Sequence, residues 1–157
     1  AGVLDACIDF EWSGRGLYLL DQLGRVEVYG EPEFFGGSRE NQKDGLCVDL
    51  EVYPGQEPGY AILHSHGVVE LFDDRGRQQV EAPGFGWDIA RAMVLTGPGS
   101  GYVLDGYGGL HSFGGTERMV CPGYSLKDRM VDLERDEDGR FWVLRNDGSL
   151  HEAVAAP

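Results

Sequence analysis

Residues 17–30 read LYLLDQLGRVEVYG, and the same pattern returns as YAILHSHGVVELFD at 60–73, YVLDGYGGLHSFGG at 102–115 and FWVLRNDGSLHEAV at 141–154. The four copies align on Gly24, Gly67, Gly108 and Gly148, which are 43, 41 and 40 residues apart. In each copy an apolar run leads into a short polar turn ending in the glycine, and an alternating run follows. Glycine readily adopts the positive φ of a tight turn, so each copy predicts a β-hairpin. Four hairpins in register predict a tandem repeat.

A further strand is predicted before each hairpin. The segments are CIDFEW (7–12), CVDLEVY (47–53), ARAMVL (90–95) and MVDLER (130–135). Three of them alternate apolar and acidic residues, and a period of two is typical of a strand. Each of the first three hairpins is followed by a short β-like piece, at Phe34–Phe35, Gln79–Val80 and Met119–Val120, which predicts a poor fourth strand. We expect a single helical turn after Asp88 and after Asp128, which are suitable N-cap residues.

The repeat predicts an all-β fold, and most simply a single-domain β-propeller of four blades with about 40 residues each. The approximate repeat boundaries are 4–44, 45–87, 88–127 and 128–157. Such a unit buries both of its faces only by stacking against its neighbours. An elongated β-solenoid or a sandwich is the alternative, although solenoid coils tolerate the uneven repeat spacing poorly. Four units can close into a ring alone or form part of a larger ring that includes another chain.

The composition excludes several classes of partner. The chain has 157 residues with 27 acidic and 13 basic side chains, a formal net charge of −14. A nucleic-acid-binding protein must neutralise phosphates, and anionic membranes attract basic segments, so neither partner is expected. The sequence has no apolar run long enough to span a bilayer. Three cysteines, Cys7, Cys47 and Cys121, leave at least one thiol free or bonded to another chain.

Part of the chain resembles known repeat proteins. The unit VDLERDEDGRFWVLRNDGSLHEA (131–153) looks like a blade of NHL-type and related propellers. The stretch GWDIARAMVLTGPGSGYVLDGYGGLHSFGG (86–115) more closely resembles tandem repeats with a GYVLDGxGGxHxFG core in large bacterial extracellular proteins. The resemblance implies a secreted or surface-attached propeller that serves adhesion, assembly or binding. It does not imply an enzyme, because a fold does not determine a function.

The most suggestive constellation is acidic. Asp9, Asp49 and Asp132 occupy the same position in the first strands of repeats 1, 2 and 4, where repeat 3 has Ala92. If these strands are innermost, the carboxylates ring a central channel, where a hard cation such as Ca²⁺ would relieve their repulsion. The alternative, which we favour, is that each carboxylate bonds to the backbone or an arginine of the next blade. No cofactor is otherwise expected.

Other chemistry is weakly signalled. The sequence has neither a nucleophile-elbow motif nor a phosphate-binding glycine loop, and His64 and His66 lack evident partners for a metal site. Trp87, in a loop after Pro-Gly-Phe-Gly, is the best platform for stacking on a sugar.

The expected function is inferred from the last predicted strand. No segment of the chain is evident as a partner for its outer side, which predicts an open edge formed by Leu150, His151, Glu152, Ala153 and Val154. Open edges recruit strands from other chains. We therefore expect a non-enzymatic extracellular or cell-surface module that assembles with copies of itself, with the partner copy against 148–157 or 1–6. A propeller lectin that binds glycans at the ring face is the alternative, and hydrolysis by channel carboxylates is a weaker one.

Overall fold

The all-β class is confirmed. The computed structural model describes residues 7–38, 44–123, 125–127 and 129–157, which form fourteen β-strands and no helix. The strands are β1 (Cys7–Trp12), β2 (Gly16–Asp21), β3 (Val26–Gly30), β4 (Cys47–Val52), β5 (Tyr60–His64), β6 (Val69–Asp73), β7 (Gly76–Val80), β8 (Ala90–Gly97), β9 (Ser100–Asp105), β10 (Leu110–Phe113), β11 (Met119–Val120), β12 (Met130–Arg135), β13 (Phe141–Arg145) and β14 (Leu150–Ala155). All strand pairs are antiparallel.

The strands form four sheets, one for each repeat of the sequence. We number them by their order in the chain: sheet 1 is β1-β2-β3, sheet 2 is β4-β5-β6-β7, sheet 3 is β8-β9-β10 and sheet 4 is β12-β13-β14-β11. The central hairpin of each sheet turns at one of the four predicted glycines, whose φ angles are 84°, 82°, 100° and 82°. A side chain is strained at such angles, so the turn explains why glycine recurs in register.

The first strand of each repeat, which we call its inner strand, forms one edge of its sheet and contacts the first strand of a neighbouring repeat. β1 lies against β4, β4 against β8, and β8 against β12. Each of these four strands also has a β-bulge near its start, for example between Cys7 and Asp9 in β1 and between Cys47 and Asp49 in β4. A bulge bends and twists its strand, so the inner edge is shaped alike in every sheet.

The core consists of three apolar clusters, and each fills the space between two successive sheets. Sheets 1 and 2 meet at Leu20 and Leu50. Sheets 2 and 3 meet at Leu63 and Met93, and sheets 3 and 4 meet through a similar cluster that contains Leu104 and Leu133. Burying one such side chain contributes about 1.5–3 kcal/mol, so the stacking of sheets is the main source of stability.

The short outer strands differ from the expectation. Gln79–Val80 belongs to β7 and completes its own sheet, whereas Phe34–Phe35 forms no strand. Met119–Val120 forms β11, which crosses to the next sheet and pairs with β14. The helical turn expected after Asp88 is wrong, because that segment is a bend without helical hydrogen bonds. The described residues that follow Asp128 form no helical turn either, because β12 begins at Met130. Asp128 itself and the proposed contact at 1–6 lie outside the described residues.

Candidate functional site

The aspartates of the inner strands join successive sheets. Asp9 accepts a hydrogen bond from the N–H of Leu50 in the next sheet at 2.8 Å. Asp49 accepts one in the same way from the N–H of Met93. The interpretation that these carboxylates bond to the backbone of the next repeat is therefore confirmed for both residues.

Asp132 differs from the other two. In the described part of the chain it accepts only the N–H of its own neighbour Leu133, at 2.9 Å, since no further sheet follows sheet 4. Leu133 in turn has no inter-sheet acceptor, because the preceding sheet has Ala92 at the equivalent position. The N–H of an inner strand thus donates to the aspartate of the preceding sheet when that sheet has an aspartate at this position.

Six carboxylates converge where the inner strands meet: Asp9, Glu11, Asp49, Glu51, Asp132 and Glu134. Burial, followed by repulsion from Asp9, Glu134 and Asp132, raises the pKa of Glu11 to about 7. Burial and the charge of Glu11 raise the pKa of Glu51 to about 10. Carboxylates on β1, β4 and β12 therefore repel one another.

The geometry of these carboxylates can be compared with that of the expected cation site. Within the described ranges, no three His, Cys, Asp or Glu side chains are grouped closely enough to hold a metal ion. Two of the three predicted aspartates point toward the backbone of a neighbouring sheet, which leaves each of them fewer oxygens for a cation. The structure thus does not bring Asp9, Asp49 and Asp132 together as ligands.

A second polar cluster is buried beside the turn of sheet 2, where the sequence singled out only the His64 and His66 pair. His64 Nε2 lies 3.2 Å from Glu70 Oε2, and both side chains are almost fully buried. The hydroxyl of Ser38 donates to the same Glu70 oxygen at 2.6 Å, and Arg77 Nε donates to Glu70 Oε1 at 2.9 Å. Cys47 Sγ lies 3.8 Å from His64 Nδ1 on the other side of the ring.

The cluster holds a charged pair inside the core. Burial alone would lower the pKa of His64, but its hydrogen bonds to Cys47 and Glu70 outweigh burial and raise the pKa to about 10. Burial would raise the pKa of Glu70, but its bonds to His64, Ser38 and Arg77 lower it to about 2. Cys47 and His64 are adjacent, as the thiol nucleophile and the base of a cysteine enzyme are, but both side chains are buried from solvent. Their contact therefore links the turn between β5 and β6 to the first residue of β4.

The pairing across the turn recurs in sheet 3 with its residues exchanged. Asp105 and His111 stand three residues before and after Gly108, as His64 and Glu70 do around Gly67. His111 Nε2 lies 2.9 Å from Asp105 Oδ2. A comparison of the repeats by charge at these two positions would have found this pair from the sequence.

The predicted sugar platform is accessible. Trp87 lies in the loop before β8 and is 67% exposed. The described residues contain other large exposed aromatic side chains, at Phe10 and Trp12 of β1. Trp87 is thus open to a ligand but is not the single aromatic surface of the molecule.

The open edge predicted at β14 is partly wrong. Val120 of β11 pairs with Val154, Met119 pairs with Ala155, and the N–H of Ala156 donates to the carbonyl of Arg118 at 2.9 Å. A segment of the chain itself therefore covers the end of this strand. Leu150, His151, Glu152 and Ala153 have no strand partner on that side among the described residues.

Among the described residues, the end sheets each leave one largely apolar face uncovered, which sequence reasoning missed. On sheet 1 register places Phe10, Trp12, Leu17, Leu19 and Tyr29 on one side of the sheet together with one carboxylate, Glu27, and we call this side the N-terminal face. Phe10, Trp12 and Tyr29 are 66%, 64% and 56% exposed. On sheet 4 register places Trp142, Leu144 and Leu150 on one side together with the carboxylates Asp132, Glu134 and Glu152, and we call this side the C-terminal face. Leu150 is 61% exposed.

The alternation of residues in β1 could have predicted from the sequence that Phe10 and Trp12 lie on the same side of the strand. It could not have predicted whether another sheet covers that side. In the described residues β1 makes no contact with β12, so sheet 4 does not cover this face.

The three cysteines are all free thiols, with Cys7 exposed and Cys47 and Cys121 buried. Among the described residues, no helix has the length and apolar character needed to cross a membrane. No protein-family model and no curated protein matches the chain.

Proposed function

We propose that this chain is a propeller-type array of four blades that acts as a non-enzymatic structural module and assembles with copies of itself on the outside of the cell. The observation that carries the proposal is the pair of uncovered apolar faces on sheets 1 and 4. Contiguous apolar surface of this kind on a soluble domain marks a site of association.

The propeller part of the proposal is supported by the order of the inner strands. Four sheets stack in chain order, and each is joined to the next by an apolar cluster. The carboxylates of β1 and β12, at the two ends of this order, still repel each other, and inner strands that curve around a common centre would explain this proximity. Successive sheets around a centre, each with its first strand inside, are the arrangement of propeller blades.

We propose that the chain is not an enzyme because its potentially reactive side chains are buried or already hydrogen-bonded. Cys47 and His64 are buried, and the inner-strand aspartates of sheets 1 and 2 are occupied with backbone N–H groups. A catalytic group must reach the atom it acts on, and these groups face the interior of the protein. The location outside the cell rests on the resemblance of residues 86–115 to repeats of bacterial extracellular proteins.

Self-assembly is tested by measuring mass against concentration. We expect light scattering coupled to size exclusion to show species larger than the 17.2 kDa chain, growing with concentration and without added sugar or metal. Electron micrographs of the same samples should show regular particles or filaments. A chain that stays at its monomer mass at the highest soluble concentration contradicts the proposal.

Glycan binding is the second candidate, and the exposure of Trp87 favours it. A sugar ring stacking on this indole would quench or shift its fluorescence. We expect Trp87→Ala to abolish such a response, whereas Trp142→Phe retains it. Saturating glycan mixtures that leave the fluorescence of the native chain unchanged would remove this candidate.

A further inference from the structure

We infer that copies of this chain join head to tail, with the C-terminal face of one copy stacked on the N-terminal face of the next, in the way that successive sheets stack within one chain. This inference rests on the proposed self-assembly and specifies its contact. It replaces strand pairing at the edge of β14, which β11 partly covers.

The contact between sheets 1 and 2 is the template. Sheet 1 contributes Tyr18, Leu20, Val26 and Val28 to this cluster, and sheet 2 contributes Leu50, Val52, Tyr60, Ile62 and Phe72. Register places each set on a single side of its sheet. One side of a sheet thus packs toward the following sheet, and the other side packs toward the preceding one.

The two uncovered faces are the missing halves of such a contact. In the repeat alignment, Trp142, Leu144, Leu150 and Glu152 take the positions of Tyr18, Leu20, Val26 and Val28. Phe10, Trp12, Leu17, Leu19 and Tyr29 take the positions of Leu50, Val52, Tyr60, Ile62 and Phe72. The C-terminal face therefore matches surfaces that pack on a following sheet, and the N-terminal face matches surfaces that pack on a preceding sheet. Neighbouring copies of the chain would supply the following sheet and the preceding sheet.

A hydrogen bond completes the match. Asp9 and Asp49 each bond to an N–H of the following sheet, whereas Asp132 has no following sheet and bonds to its own neighbour. The N–H equivalent to those of Leu50 and Met93 is that of Phe10, which bonds to its own Asp9 at 2.8 Å. When sheet 4 of one copy meets sheet 1 of another, Asp132 is placed to accept from Phe10 N–H.

The geometry favours another copy over closure within one chain. β1 and β12 make no contact in the described residues, and the side chains of Phe10 and Trp12 are about two-thirds exposed at 66% and 64%. The two faces are different surfaces, so their contact is heterologous. Repetition of such a contact generates a ring of copies if the rotation closes and a filament if it does not.

The test uses two blocking variants. Phe10→Glu blocks the N-terminal face and Leu150→Glu blocks the C-terminal face, each by placing a charge where an apolar contact should form. Both positions are exposed in the single chain, so the fold should persist, which far-UV circular dichroism and the melting temperature verify. Each variant alone should be a monomer, and an equal mixture should give a one-to-one dimer, because one intact face of each kind remains.

Leu126→Glu is the matched control. Leu126 is 89% exposed and belongs to no strand of either face, so its variant should assemble like the native chain. Asp132→Ala should weaken assembly about tenfold, because the hydrogen bond to Phe10 N–H forms between copies. The melting temperature of the monomer reports separately on the loss of its bond to Leu133 N–H.

The outcomes separate the two proposals. If the native chain assembles and both blocking variants assemble equally well, the face-to-face contact is wrong while self-assembly stands. Should Glu152→Pro then prevent assembly, the contact is instead strand pairing at β14. If the native chain remains a monomer at every concentration, both proposals fail. A mixture of the blocking variants that gives no dimer, beside a native chain that assembles, also overturns the head-to-tail arrangement.

Discussion

Glu51 lies where the inner strands meet, and its charge opposes the fold. Burial and the neighbouring Glu11 raise the pKa of Glu51 from 4.5 to about 10. The folded state therefore holds a proton that the unfolded chain releases, so this group lowers stability as the pH rises above 4.5. The sequence predicted aspartates in register here, but burial decides their pKa and is not visible in a sequence.

Replacing Glu51 by Gln should stabilise the protein at neutral and alkaline pH, because folding of the native chain must return a proton to this glutamate, whereas the amide is already neutral and keeps the shape of the side chain. The melting temperature should rise at pH 8 and change little near pH 4, where the glutamate of the unfolded chain is largely protonated as well. Each kcal/mol gained raises the melting temperature of a domain of this size by about 2–4 °C. Glu81→Gln, at an exposed position, is the control and should leave both values unchanged.

Glu70 is the opposite case, since its negative charge stabilises the folded protein. Glu70→Gln leaves His64 and Arg77 without their counter-charge and should lower the free energy of unfolding by about 3 kcal/mol at pH 6. The depressed pKa of Glu70 means that the pair's stability is lost as the pH falls from 4.5 toward 2. The raised pKa of His64 means that it is also lost as the pH rises from 6.5 toward 10.

Denaturant titrations of the native and Glu70→Gln chains across this pH range check the expectation. Asp88→Asn is the control, because its ion pair with Arg91 is on the surface and contributes about 0–1 kcal/mol. A loss of stability in Glu70→Gln that does not exceed that of Asp88→Asn would show that the buried network is not held by charge.

At the level of elements, the hairpins were predictable and the outer strands were not. Each hairpin has a glycine that its turn requires and alternating residues on both sides, so four copies identify it. β11 has only two residues, which is too short for a period to show. Its partner is decided by the packing of sheet 4 against sheet 3, which is a tertiary effect. The helical turn expected after Asp88 failed for a related reason, since a suitable N-cap does not by itself supply a helix.

The connection that includes β11 should depend on one hydroxyl. Tyr102 Oη donates to the carbonyl of Glu117 at 2.6 Å, and its ring packs against Phe141 with centroids 5.1 Å apart. Tyr102→Phe keeps the ring contact and removes the hydrogen bond, so stability should fall by about 0.5–1.5 kcal/mol. Hydrogen exchange at Ala156 N–H, which bonds to Arg118, should become faster.

Tyr18→Phe is the matched control for this prediction. Tyr18 makes the equivalent bond in the first repeat, to the carbonyl of Glu33 at 2.6 Å. Its loss should destabilise the protein by a similar amount without accelerating exchange at Ala156. Equal acceleration in both variants would indicate global opening rather than release of β11.

At the scale of the whole molecule, the sequence predicts the number of sheets and their order but not the state of the end sheets. Phe10 and Leu50 look alike in the repeat alignment, yet one is exposed and the other buried. Phe10 belongs to sheet 1, and no sheet of the described residues covers it on that side. A repeat alignment shows which positions are equivalent, but not whether a neighbouring sheet covers them. If copies assemble as we propose, their net charge should affect how they approach one another.

Assembly should become stronger as salt is added. Each copy has a net charge of −14, so copies repel at long range while the faces that meet are mainly apolar. The Debye length falls from about 30 Å at 0.01 M to about 8 Å at 0.15 M salt, which screens the repulsion and leaves apolar contact unaffected. We expect light scattering to show larger species at the higher NaCl concentration, and Leu150→Glu to remain a monomer at both. Dissociation of the native assembly by NaCl would mean that ion pairs, not apolar faces, hold the copies together.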